Sequence, residues 1–73
     1  MSHLPVISGR DAIKAFSRCG FTLARQTGSH VIMVKPGLDV TLSIPLRNPV
    51  KRGTLRKLIA DAGLDVEEFI RLL

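Results

Sequence analysis

Tryptophan and tyrosine are absent from this chain of 73 residues, which carries three phenylalanines and a single cysteine. One cysteine cannot close an internal disulfide, and Cys19 with His3 and His30 does not reproduce a zinc-ligand spacing. The pattern points to a reducing, cytoplasmic setting with no metal and no cofactor. A long apolar run is missing as well: the opening 1-MSHLPVISGR-10 has no signal-peptide core, and Arg10, Asp11 and Lys14 put charge into the next turns of chain. Neither a membrane span nor an exported leader is expected. Repeats and low-complexity tracts are also lacking, so nothing is set aside as linker or tail. The expectation is one domain over 1–73, close to the smallest size at which a hydrophobic core folds unaided.

Acid is scarce through most of the chain. Residues 1–60 hold ten bases (Arg10, Lys14, Arg18, Arg25, Lys35, Arg47, Lys51, Arg52, Arg56 and Lys57) against Asp11 and Asp39 alone. The remainder is acidic, with Asp61, Asp65, Glu67 and Glu68 against Arg71, and the formal net charge is +5. Such a basic body suits a polyanion, because each neutralised phosphate releases a condensed counterion. Solubility alone also accounts for a modest excess of base, and composition does not choose between the two.

Periodicity places these residues on elements. In 8-SGRDAIKAFSRCG-20, Ser8 can cap a helix with Asp11 three residues on, Ile13 and Phe16 supply an apolar face, and Gly20 suits the stop. Arg10, Lys14 and Arg18 lie four apart and form one outward row, either a solvated face or a track for phosphate. Then 21-FTLAR-25 alternates Phe21 and Leu23 against Thr22 and Ala24, 30-HVIMVK-35 is strongly β-prone, and 40-VTLSI-44 alternates Val40, Leu42 and Ile44 against Thr41 and Ser43. Gly28 in the first connection and Pro36-Gly37 in the second are hairpin signals. The segment 53-GTLRKLIADAG-63 has Leu55, Leu58, Ile59 and Ala62 at helical spacing, and in 65-DVEEFIRLL-73 Asp65 and Glu68 have the spacing of a capping box. The order is α-β-β-β-α with a short C-terminal helix: an α+β fold whose three-stranded antiparallel sheet carries its helices on one face and leaves the other free.

The pieces 4-LPVISGRDAIKAF-16, 20-GFTLARQTGSH-30, 44-IPL-46, 53-GTLRKLIADAGL-64 and 67-EEF-69 resemble, in this order and spacing, the HicA (YcfA-like) mRNA interferase toxins of toxin–antitoxin modules. The resemblance implies a fold like the double-stranded RNA-binding domain, ribosome-independent cleavage of mRNA, and neutralisation by a cognate HicB antitoxin. It further implies that the catalytic histidine is the one in a Gly-Ser-His motif, here Gly28, Ser29 and His30.

The chemistry of these residue types is consistent with that role. RNA carries its own nucleophile, the 2′-OH, so a ribonuclease has to remove one proton, hold the phosphate in line and stabilise charge on the phosphorane. Histidine titrates near neutrality and can be the base. Lysine and arginine can supply the electrostatic part, a glycine lets the RNA backbone come close, and Ser29 can bond phosphate or orient the ring. The competing reading of His30 is structural, since in a regular strand it shares a face with Ile32 and Val34 and could be half-buried. His3, near the N-terminus, is given no role. One departure from the family is evident: many members carry a second histidine in a Val-Pro-x-His segment, where this chain reads 44-IPLR-47. Arg47 cannot cycle a proton, although it can bind phosphate bidentately.

Arg10, Lys14, Arg18, Lys35, Arg47, Lys51, Arg52, Arg56 and Lys57 are therefore the candidate RNA contacts. The absence of tryptophan and tyrosine argues against recognition by base stacking and favours reading of shape and backbone, with little sequence specificity. The expected partners are mRNA and an acidic HicB-type antitoxin that covers His30, with the free chain a monomer. Two other classes of function stay open: a non-catalytic RNA-binding module with a structural His30, and a protein-interaction domain whose basic row meets a protein.

Overall fold

The computed structural model describes residues 3–73. The Ser8 hydroxyl accepts the Asp11 N–H at 3.1 Å and so starts helix α1 (Gly9–Arg18), as the sequence predicts. Ala12, Ala15 and Phe16 turn inward, and Arg10, Lys14 and Arg18 lie exposed. Small residues on the inner face let this helix lie close to the sheet.

Strands β1 (Thr22–Thr27), β2 (His30–Lys35) and β3 (Leu38–Pro45) come next as an antiparallel meander, ordered β1-β2-β3. Pairing of Val31 with Ile44 and of Met33 with Leu42 sets four apolar side chains on one face, all buried. The alternate pairs, His30 with Pro45, Ile32 with Ser43 and Val34 with Thr41, occupy the other face. Helix α2 (Arg52–Asp61) brings Leu55, Leu58 and Ile59, and helix α3 (Val66–Arg71) brings Phe69, into the same cluster as α1 and the inner face of the sheet. The helices share one side, and the opposite face is open. This is the arrangement of a double-stranded RNA-binding domain. No helix among the described residues is long and apolar enough to cross a membrane.

Phe16 is the centre of the core. Its ring meets Phe21 edge-on at 6.0 Å and Phe69 at 5.1 Å, so the one aromatic residue of α1 joins the start of the sheet to the last helix. Helix α3 is held at both ends. Asp65 and Glu68 make a reciprocal capping box at its start, and the Arg18 guanidinium donates to the Leu72 carbonyl at its finish.

The first strand departs from its predicted alternation. Phe21 is buried just ahead of β1, but Leu23 is 59% exposed and every residue of the strand faces solvent at least in part. Two constraints account for this. A bulge between Leu23 and Arg25 takes Ala24 out of register, and β1 is an edge strand with no residue in the core that α1 and α2 close over β2 and β3.

Phe69→Ala removes a ring from the middle of the aromatic cluster and is expected to cost about 3–5 kcal/mol, a large part of the stability of so small a domain. Leu23→Ala, on the exposed edge, is expected to change it by less than about 0.5 kcal/mol. Urea denaturation tracked by circular dichroism separates the two, and equal losses would mean that the core is wrongly placed.

Candidate active site

Gly28 and Ser29 form a two-residue hairpin turn closed by the pair Thr27 and His30. Gly28 has φ 55°, and among the described residues none other than glycine has positive φ, which fits a II′ turn with glycine at its first central position. The turn places His30 at the very end of the sheet, on the open face and exposed. Its side chain is not part of the core. The Ser29 hydroxyl lies 3.4 Å from His30 Nδ1, at the long end of hydrogen-bond distances, and among the described residues no other side chain bonds the ring.

The chain leaving β3 is tied back to this turn. Leu46 N–H donates to the Ser29 carbonyl at 2.7 Å, Gly9 N–H donates to the Arg47 carbonyl at 2.9 Å, and Val50 N–H donates to the Ile7 carbonyl at 2.9 Å. Leu46 and Arg47 are therefore gripped between the hairpin and the first turn of α1. Gly9 is what permits the grip, because a Cβ there would run into the Pro45 carbonyl oxygen.

Three depressions meet at this junction. Ser29, His30 and Arg47 line the first, Ser8, Arg10 and Arg47 the second, and Arg10, Lys14 and Gln26 the third. Leu46 is common to all three, so they form one groove that turns around the end of the sheet from the open face to the flank of α1. Its lining holds arginine, lysine and histidine and no carboxylate. The electrostatic result is a basic surface around the end of the sheet where His30 stands.

Of the predicted contacts, the fold gathers Arg10, Lys14 and Arg47 with Gly28, Ser29 and His30. The others stand elsewhere. Arg18 is engaged with the end of α3, and the Lys35 ammonium lies 5.9 Å from the centroid of the Phe21 ring. Lys57 pairs with Asp61 at 2.9 Å within α2. Arg52 and Arg56 line a separate concavity with His3, Asp65 and Glu67, where acid and base are mixed. Lys51 is exposed at the N-cap of α2. Gln26 is the groove residue that sequence reading missed. A neutral amide in a strand gives no signal by charge or motif, and only its pairing opposite Val31, on the helix side of the sheet, brings it to the groove.

Residues 9–64 match the model of the family described as HicA toxin of bacterial toxin–antitoxin, and this span contains Arg10, Lys14, Gln26, Ser29, His30 and Arg47. A search of curated proteins finds no match.

Helix propensity favours alanine over glycine by about 1 kcal/mol, but the overlap at Gly9 is with backbone that has no side-chain freedom to yield. The overlap wins, so Gly9→Ala is expected to lower stability by about 1–3 kcal/mol. A thermal melt checks the sign, and a stabilised variant would show that α1 is not pressed against the end of β3.

Proposed function

Because the chain belongs to the HicA toxin family of bacterial toxin–antitoxin modules, we propose that it is an endoribonuclease toxin that cleaves mRNA with His30 as general base. The observation that carries this reading is that the exposed His30 lines one depression together with Ser29 and Arg47, and that no carboxylate lines it. A buried structural histidine would have no such setting.

The reaction can be built from the groups present. The imidazole takes the proton of a ribose 2′-OH, and the freed oxygen attacks the adjacent phosphorus. Arg47, whose fork of N–H donors matches two phosphate oxygens, holds that phosphate and offsets the charge that develops on the phosphorane. The bond to the 5′-oxygen then breaks, and this oxygen takes its proton from water, since a guanidinium does not release one. The products are a 2′,3′-cyclic phosphate and a 5′-hydroxyl. Ser29, 3.4 Å from Nδ1, limits the orientations of the ring, and the glycine before it leaves room for the RNA backbone. None of these steps calls on a metal. The reaction needs only cytoplasmic RNA, and the natural inhibitor is a cognate HicB-type antitoxin whose acidic surface covers His30 and the groove.

The purified chain is expected to cleave a long unstructured RNA in excess EDTA, and His30→Ala is expected to lose about 10²–10⁴-fold in rate with RNA affinity retained. Retained binding without cleavage by either protein would instead identify a non-catalytic RNA-binding module. If Arg10, Lys14 and Arg47 each neutralise a phosphate of a single strand, log affinity should fall against log salt with a slope of about −2. A flat salt dependence would favour a surface that meets protein.

A further inference from the structure

Beyond the depression that holds His30, the groove continues into a second compartment of about 330 Å³ with a different character. Its walls are Ile13, Val31 and Leu46, its rim carries Arg10 and Lys14, and one neutral polar side chain, Gln26, faces it. An amide can bond a phosphate, but a strip serving phosphate alone has no use for an apolar wall. We propose that this compartment is a nucleobase subsite of the RNA substrate, with Gln26 reading the edge of a base next to the cleaved linkage. The proposal rests on the ribonuclease reading of His30 and deepens it.

Three observations converge on a nucleotide. Size is the first: the volume stands at the lower end of small-ligand pockets and takes one flat ring, not a helix or a strand of a partner protein. Charge is the second. Arg10 and Lys14 stand four residues apart on α1, so both lie on one helix face and line the compartment, where a phosphate flanking the bound base would find a cation. Adjacency is the third, since the compartment shares Leu46 with the depression that holds His30 and shares Arg10 and Leu46 with one that holds Arg47.

The amide of Gln26 keeps hydrogen-bonding capacity for this contact. Its Nε2 leans 3.4 Å from the Gly28 carbonyl, a long bond that orients the group toward the turn and leaves Oε1 and a second N–H to be used. An adjacent donor and acceptor is what the edge of a base presents in return. No stacking platform is needed, because the ring rests on aliphatic side chains. Against the expectation of cleavage with little sequence preference, cutting sites should therefore share a base at one position.

Cleavage of one long unstructured RNA, mapped site by site, tests this with wild type, Gln26→Ala and Gln26→Glu side by side. Gln26 is exposed on an edge strand, so neither substitution disturbs the core. The wild type is expected to favour particular bases at one position, and Gln26→Ala to compress that preference by about 5- to 100-fold while cleavage still depends on His30. Gln26→Glu, which keeps an acceptor and loses the donor, should change which bases are favoured. An identical site pattern in all three proteins, with cleavage intact, overturns the subsite and leaves the ribonuclease reading standing; the compartment is then a protein-facing surface. No cleavage by the wild type overturns both.

Discussion

The contact between the first turn of α1 and the end of β3 governs everything this protein can do. Gly9 lies against the Pro45 carbonyl, and its N–H holds the Arg47 carbonyl at 2.9 Å. With that contact made, Arg10 and Lys14 of the helix and Arg47 of the loop line adjoining depressions, and Arg47 shares the last of them with His30. A side chain at position 9 would wedge the helix away from the sheet and scatter them. Bulk is costly here because both sides of the contact are backbone.

Much of the architecture could be read from the chain because its signals are local. Ser8 with Asp11, Asp65 with Glu68, the Gly28 turn and the spacing of Leu55, Leu58 and Ile59 are each decided within a few residues, and each forms as predicted. What escaped was set over longer distances. Leu23 alternates correctly, but whether an alternating position is covered depends on how far the core extends across the sheet, and it takes in no residue of β1. The family resemblance places the chain correctly, and the α-β-β-β-α order agrees with it.

The basic residues were harder to sort for the same reason. Charge is visible in a sequence, but its employment is not. Arg18 closes the C-terminus of α3, Lys35 lies over the Phe21 ring and Lys57 bridges to Asp61, so three cations that looked alike in the sequence have partners inside the protein. Exposed pairs such as that of Lys57 with Asp61 contribute little stability, yet they do occupy the charge. Arg47, just past β3, lines the depression that holds His30, Arg10 and Lys14 on the first half of α1 line the adjoining ones, and Arg25, paired opposite Ile32, stands on the same open face as His30. Gln26 shows the converse: an uncharged residue reaches the groove through strand register alone.

The edge strand has a further consequence. Every residue of β1 touches solvent, and its strand pairing is with β2 alone, whereas the three phenylalanines lock together beneath the helices. Fraying of β1 from the hairpin tip would displace Gln26 and the residues around the turn and leave the aromatic cluster packed, because the free energy of a local opening is set by what that opening exposes. Competence and foldedness are thus separate properties in this molecule: a population of intact, compact chains can include members in which the groove is momentarily dismantled. A partner that clamps the hairpin would hold the groove together even as it occludes it, so that release delivers the protein already assembled.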